Sequence, residues 1–193
     1  MILTGPEIVR QRELGALTIE PFDPRQLNPV SYNYRLGPVL RTHRAREADT
    51  RGGHELDEVP IPDGGLVLHP GLVYLGTTVE TIGSESFVPS LIGRSSLGRL
   101  GLFLQISADL GQLGACHRWT LEIEAVEKIR VYPGMLAGQI SFWTATEGRH
   151  PYTGRFGRID EATVPPPGLL APSPHHPCFE ERHRDSDRTR HRF

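Results

Sequence analysis

Between Gly15 and Trp143, proline and glycine recur at short intervals, and the runs they separate are rich in β-branched and aromatic residues. Proline removes a backbone donor and glycine adds chain entropy, so a helix interior tolerates neither, whereas short strands end naturally at both. With 21 Gly and 17 Pro in 193 residues, little room is left for long helices. The pattern predicts strands over Leu17 to Ile19, Tyr32 to Leu36, Gly65 to Leu68, Val73 to Glu80, Phe87 to Gly93, Leu102 to Ile106, Trp119 to Ala125, Ile129 to Val131 and Gln139 to Trp143. The fold class is then all-β, a sandwich or barrel. One short helix precedes it, with Thr4 as N-cap candidate, Pro6 near the first helical position, Ile8, Val9 and Leu14 at helical spacing, and Gly15 to stop it.

A chain of this length with 37% hydrophobic residues can bury one core, which favours a single domain. Lys and Arg number 21 against 23 Asp and Glu, so no global positive field would draw the protein to a nucleic-acid polymer or an anionic membrane. Any phosphate binding must be local. Cys116 and Cys178 form no disulfide framework or zinc-spaced group, which fits a reducing, cytoplasmic setting. Neither a secretory leader at Met1 to Pro6 nor a membrane-spanning apolar window is expected. Thr42 to Glu58 is charged and reads as a solvated surface loop. From Pro165 onward prolines give way to alternating charges and His, a tail that cannot offset its ordering entropy and is expected to be disordered. His175, His176 and Cys178 lie in it and lack a fourth ligand, so no metal site is expected there.

The most informative stretch is Gly93-Arg94-Ser95-Ser96-Leu97-Gly98-Arg99-Leu100-Gly101-Leu102. Two hydroxyls stand between two guanidinium groups, and glycines let the backbone approach a ligand, which reads as an anion cradle. A turn whose arginines make structural ion pairs is an equal reading of the same residues. Further on, Trp119 to Ala125 alternates strictly, placing Thr120, Glu122 and Glu124 on a polar face. A carboxylate there is ordinarily solvated; its meaning changes if the strand lines a pocket with Ser95 and Arg99.

Taken in order, this stretch, Ser107-Ala108, Thr120-Leu121-Glu122 and Tyr132-Pro133-Gly134-Met135-Leu136-Ala137-Gly138-Gln139-Ile140-Ser141-Phe142 resemble the dCTP deaminase family of the dCTP deaminase and dUTPase superfamily. Upstream support comes from Met1-Ile2-Leu3, Ile19-Glu20-Pro21-Phe22, Leu27 to Gly37 and Leu68-His69-Pro70-Gly71, so the likeness runs colinearly from Met1 to Tyr152. It implies a distorted jelly-roll or β-barrel of the dUTPase-like type over residues 1–160, with 161–193 as the tail, assembled as a homotrimer with active sites between subunits. It also implies hydrolytic deamination of a cytidine-type nucleotide, dCTP or related, with no cofactor for the chemistry and Mg²⁺ bound only with the phosphates. The sequence has no H-x-E with P-C-x-x-C signature of zinc deaminases. By the same resemblance Glu122, Arg99 and Ser95 are catalytic. Arg94, Ser96, Ala108, Gln112, Gln139, Tyr152 and Arg155 are implied to bind nucleotide.

The sequence departs from the family in four places. Gln112 replaces an expected aspartate, and an amide cannot act as a general base, so pyrophosphatase activity is disfavoured. Asn33 replaces another, as the expected structural partner of an arginine. The family's closing arm keeps Tyr152, but Arg155 replaces its lysine and its glutamine is missing. Cys116-His117-Arg118 puts bulky groups where small ones are common, which predicts an altered pocket. The alternatives to a deaminase are a relative with altered substrate or a silent nucleotide-binding module and, less favoured, a dUTP diphosphohydrolase.

Overall fold

The structure, a computed structural model, describes residues 1–45, 47–105, 108–146 and 151–164. The tail from residue 165, with His175, His176 and Cys178, lies outside the described residues, as does the side chain of Arg155. One helix of more than a single turn forms among the described residues, α1 (Gly5–Glu13), and it buries Ile8. Thr4 occupies its N-cap position with extended backbone but makes no side-chain cap bond. Gly15, at φ 72°, stops it in the left-handed conformation that glycine adopts without strain.

Strands follow in the order β1 (Thr18–Glu20), β2 (Tyr32–Arg35), β3 (Val39–His43), β4 (Leu56–Pro60), β5 (Leu66–Leu68), β6 (Val73–Gly83) and β7 (Phe87–Gly93). A four-residue helical turn, α2 (Ser95–Gly98), leads into β8 (Leu102–Leu104), β9 (Cys116–Ala125), β10 (Ile129–Val131) and β11 (Leu136–Thr144). A six-stranded sheet runs β4-β3-β6-β9-β8 with β1 on the far half of β6, a three-stranded sheet runs β2-β11-β7, and β10 pairs with β5. Every pairing is antiparallel. The expected all-β class is the one found, and Tyr32, Tyr34, Ile82, Leu91, Leu121, Ile140 and Phe142 are fully enclosed in one core.

The expected solvated loop over Thr42 to Glu58 holds for most of the connection and is corrected at its ends, where β3 and β4 form an antiparallel hairpin that edges the large sheet. Its charges pair with each other across the hairpin. Arg41 and Glu58 are direct cross-strand partners with an ion pair at 2.7 Å, and Arg44 bridges Glu55 and Asp57 at 2.6 and 2.7 Å. Cross-strand pairing of opposite charges stabilises a half-exposed hairpin, whereas composition alone reads as loop.

The polar centre of the molecule is Glu80, whose side chain is wholly buried. Its carboxylate accepts from Arg35 Nε at 2.7 Å, from the Arg35 backbone at 2.9 Å and from Gln26 Nε2 at 3.1 Å. Gln26, in the short 3-10 turn Pro24–Gln26, also donates to the Asn33 carbonyl, and Asn33 Nδ2 donates back to the Gln26 carbonyl at 3.1 Å. Three elements distant in sequence are thereby fastened: the turn, β2 and β6. Removing one partner of a buried pair leaves an uncompensated charge. Glu80→Ala should lower the unfolding free energy by about 3–5 kcal/mol in urea titration, and a loss under about 1 kcal/mol would show that Arg35 finds solvent instead.

Candidate active site

The Gly93 to Leu102 stretch folds as the turn α2 with Arg94 at its N-cap position. Leu97 points inward and packs against the core, which fixes the register of the turn and leaves Ser95, Ser96 and Arg99 exposed. Gly101, at φ 86°, turns the chain into β8 where a Cβ would strike Val126. The two readings of this stretch divide by residue. Arg94 has a partner inside the chain: its Nη1 donates to Asn33 Oδ1 at 2.8 Å, the arginine partner expected for Asn33. That amide also donates through Nδ2 to Gln26 and to Asn28 Oδ1, at 3.1 and 3.3 Å. An aspartate could only accept, so the substitution suits a position that has one donor to receive and two acceptors to serve. Ser95, Ser96 and Arg99 stand free of the core with their polar atoms toward solvent.

Glu122 lies on the polar face of β9, between buried Leu121 and Ile123. Its backbone is held from an unexpected side. The β8–β9 ladder reaches Leu104 opposite Ile123, and then Gln105 adopts φ 52°. Left-handed backbone at a residue other than glycine is sparsely populated and persists only where the surroundings impose it. Here the side chain continues the ladder that the backbone leaves. Gln105 Oε1 accepts from the Glu122 N–H at 2.6 Å, the Glu122 carbonyl accepts from the Gln105 N–H at 3.2 Å, and Gln105 Nε2 donates to the Ala108 carbonyl at 3.3 Å. Glu122 and Ala108, both expected at the site, are joined through one buried amide that sequence reasoning overlooked. A glutamine amid apolar neighbours at the end of a predicted strand was the available signal.

The cleft that Glu122 lines has a volume of about 290 Å³. Val73 and Leu75 of β6 make its floor, Thr120 and Glu122 of β9 one side, and His43 of β3 with His54 the other. Thr163 and Val164 of the carboxy-terminal segment also line it. That segment is pinned to the same sheet face: Arg41 donates to the Ala162 carbonyl at 2.6 Å and to Glu161 at 3.1 Å, and the Arg118 N–H donates to Asp160 at 3.0 Å. His43 and His54 were read as part of a solvated loop, yet their rings meet edge to face at 5.4 Å inside the cleft.

The other expected residues are placed elsewhere in the chain. Ser95, Ser96 and Arg99 do not line this cleft; α2 joins the sheet through β8 beyond Ala125, at the far end of β9. Gln139, on β11, pairs with Asn33 and accepts from Ser31 Oγ at 3.1 Å. Gln112 is exposed, in a loop whose Gly111 packs against Pro89 and Trp119. Tyr152 is tied by its N–H to the Leu113 carbonyl at 2.7 Å and lines a separate hollow of about 460 Å³ with Glu85 and Arg158. Cys116-His117-Arg118, expected to alter the pocket, extend β9 away from this cleft, pairing with Thr81 to Gly83. His117 is buried there, its ring 4.3 Å from that of Trp119.

Gln105→Ala removes the acceptor for the Glu122 amide and leaves the Ala108 carbonyl without its donor. A single such bond is worth about 1 kcal/mol, so amide exchange at Glu122 should quicken about fivefold while core amides in β6 keep their protection. Equal acceleration throughout the sheet would mean that Gln105 supports global stability rather than this strand position.

Comparison with known proteins bears on the family and the fold. The family model described as dCTP deaminase-like matches residues 2–145. The chain is 46% identical over 151 residues to a "dCTP deaminase, dUMP-forming" of Cytophaga hutchinsonii, covering 78% of this chain and 86% of that protein. It is 42% identical over 170 residues to a protein of the same name from Hathewaya histolytica, covering 88% and 97%. A "dCTP deaminase" of Rhodopirellula baltica is 43% identical over 144 residues, covering 74% and 72%. Among solved structures, the 2'-deoxycytidine 5'-triphosphate deaminase of Agrobacterium tumefaciens superposes with a TM-score of 0.60 at 27% identity. The match covers 75% of this chain and 48% of that one. A family match that takes in every strand from β1 to β11, with relatives aligned over most of their own length, has one consequence: the chain belongs to the dCTP deaminase-like family.

Proposed function

We propose that the chain hydrolyses the exocyclic amine of dCTP, acting on free nucleotide in the cytoplasm as a homotrimer whose active sites lie between subunits. The observation that carries this reading is the placement of Glu122: a carboxylate on a half-buried strand, its backbone locked through Gln105 to Ala108, in a cleft of nucleoside size. Small-molecule pockets start near about 300 Å³, which suits one nucleoside and excludes an oligomer.

Glu122 takes a proton from the attacking water as oxygen bonds to C4 of the cytosine, and N3 receives a proton. The tetrahedral carbon then collapses: Glu122, having passed the first proton to N3, takes the C4 hydroxyl proton as the carbonyl forms and delivers it to N4, so the C4–N4 bond breaks and ammonia leaves with a uracil ring behind. One carboxylate serves both transfers, and a carboxylate held by a rigid strand needs no reorganisation between them. Charge grows on the ring and on the water oxygen, so donors aimed there lower the barrier. Ser95 and Arg99 are such donors, but within one chain they sit beyond the end of β9. A neighbouring subunit presenting its exposed α2 turn to the Glu122 cleft completes the site and accounts for two catalytic serine and arginine side chains left in solvent. In this reading Ser96 holds phosphate, Arg94 orients the turn from within, and Gln139, Tyr152 and Arg155 close around the nucleotide. The step needs no cofactor, and Mg²⁺ enters only as the companion of the triphosphate. Residues 1–160 form the nucleotide-binding unit, and Thr163 and Val164 just beyond it add to the lining of the cleft.

Two of the relatives carry dUMP as product in their names, and the same product is expected here. It adds cleavage between the α- and β-phosphates, for which Gln112 cannot be the base. The expectation that pyrophosphatase activity is disfavoured is corrected by these dUMP-forming relatives, and what stands of it is that Gln112 is not the base of the second step. With dCTP, ammonia, dUMP and pyrophosphate should appear in equal amounts by product chromatography; accumulation of dUTP would mean that the change at 112 has removed the second step.

The shared site makes a sharper test. Glu122→Gln should lower ammonia release by about 10²- to 10⁴-fold and Arg99→Ala by about 10²- to 10³-fold. Refolding the two inactive proteins together should restore activity, since about a quarter of the sites in randomly mixed trimers pair an intact Glu122 with an intact Arg99 from the next subunit. No recovery from a mixture that has demonstrably exchanged subunits would place both groups in one chain or remove them from the chemistry.

A further inference from the structure

We propose that Asn33 is a positioning residue for the substrate's phosphates: its neutral amide orients the Arg94 guanidinium at the start of the α2 turn and leaves the charge of that guanidinium uncompensated for the triphosphate. The inference deepens the reading of the turn as the phosphate-holding part of the site, and it rests on that reading. Among the described residues, every other arginine fixed by a side chain is fixed by a carboxylate, Arg35 by the buried Glu80 and Arg41 and Arg44 by acids of the hairpin among them. Arg94 is held by an amide instead, through the bond from Nη1 to Asn33 Oδ1 at 2.8 Å.

Asn33 is buried on β2 and its amide has one orientation open to it. Nδ2 donates to the Gln26 carbonyl at 3.1 Å and to Asn28 Oδ1 at 3.3 Å, so Oδ1 is the atom presented to Arg94. A guanidinium carries its N–H donors in a rigid planar fork, and fixing one arm fixes the plane of the others. Arg94 is half-buried and directly precedes the exposed Ser95 and Ser96, so the donors that Asn33 does not use stand beside the two hydroxyls. The nearby carboxylate has no charge to spare for them, because Glu80 is met by Arg35 and Gln26. Arg35 and Arg94 thus bring two positive charges to a network that contains one negative charge, Glu80. An aspartate at position 33 would hold the guanidinium in the same place but cancel the excess, and would compete with phosphate oxygens for its donors. The amide supplies direction and leaves the countercharge to the nucleotide.

Calorimetric titration of dCTP into the full chain carrying Glu122→Gln, which slows turnover, tests this across a range of NaCl concentrations. Adding Asn33→Asp should raise Kd about tenfold at low ionic strength, and the increase should shrink to about threefold or less at about 1 M NaCl, where the added charge is screened. Asn33→Ser keeps a neutral acceptor, so whatever affinity it loses, its dependence on salt should match that of the protein with Asn33 intact. A role confined to holding the fold together would not separate the two variants in this way. An unchanged Kd in Asn33→Asp, an increase that salt leaves intact, or a flattened salt dependence in Asn33→Ser overturns the inference. Where Asn33→Asp does not fold by thermal melting, Arg94→Gln decides the question: it should raise Kd about tenfold and flatten the salt dependence, and an unchanged Kd overturns the inference. Failure of the underlying reading is separate, because Ser96→Ala would then leave Kd for dCTP unchanged whatever the Asn33 and Arg94 variants do; a chain that binds no dCTP with Asn33 intact overturns both.

Discussion

A carboxylate taken wholly out of water must be met by donors on every side, and Glu80 shows how far one such requirement reaches. Its partners are not interchangeable with solvent-facing groups: Arg35 contributes both a side chain and a backbone N–H, and Gln26 turns one amide toward Glu80 and toward the carbonyl of Asn33. Asn33 in turn holds Arg94. The chain of bonds therefore runs from the middle of the longest strand to the residue that opens α2, and the exposed Ser95, Ser96 and Arg99 inherit their orientation from a charge buried far from them. A network satisfied at each member gives a unique arrangement, which a turn of four residues could not supply for itself. Tyr34 adds to this from the next strand position, donating to the Ile92 carbonyl at 3.0 Å just ahead of the turn, its hydroxyl pKa pushed up by burial. Gly138 leaves the space that the ring occupies.

Much of this could be read from the chain itself, and the reasons are local. Trp119 to Ala125 alternates so strictly that one face had to be buried, and it is. Gly15 ended the helix because its position required φ near 72°. The β3–β4 hairpin was hidden because its strands carry the residues of a solvated loop; only pairing across the hairpin, which composition does not encode, turns Arg41, Arg44, Glu55, Asp57 and Glu58 into a structural seam. Gln105 was hidden for a related reason. Its function lies in a backbone angle and a side chain that substitutes for a ladder bond, and neither is written in residue type.

The candidate site divides along the same line. Glu122 was legible because strand periodicity fixes which way a side chain points, and its role follows from a resemblance that spans the strand. What strand periodicity does not give is which groups of the proposed site face that carboxylate. The Ser95 to Arg99 turn is built to be rigid within and open without: Leu97 anchors it, Asn33 holds Arg94, and the remaining hydroxyls and guanidinium face outward. A catalytic group gains a low reorganisation cost from rigidity, while an intersubunit site needs its donors on an outer surface. Both demands are met by a short, pinned and exposed turn.

In the proposed site, divided between subunits, each residue type has a physical reason for its place. A carboxylate that handles protons works best where water is scarce, and Glu122 is half-buried beside the apolar floor made by Val73 and Leu75. Arginine keeps its charge in any surroundings and can remain on the surface until the subunits meet, so its desolvation is offset by the nucleotide phosphates and ring rather than by folding. In the proposed assembly the pair comes from separate chains, which makes the catalytic arrangement a product of association.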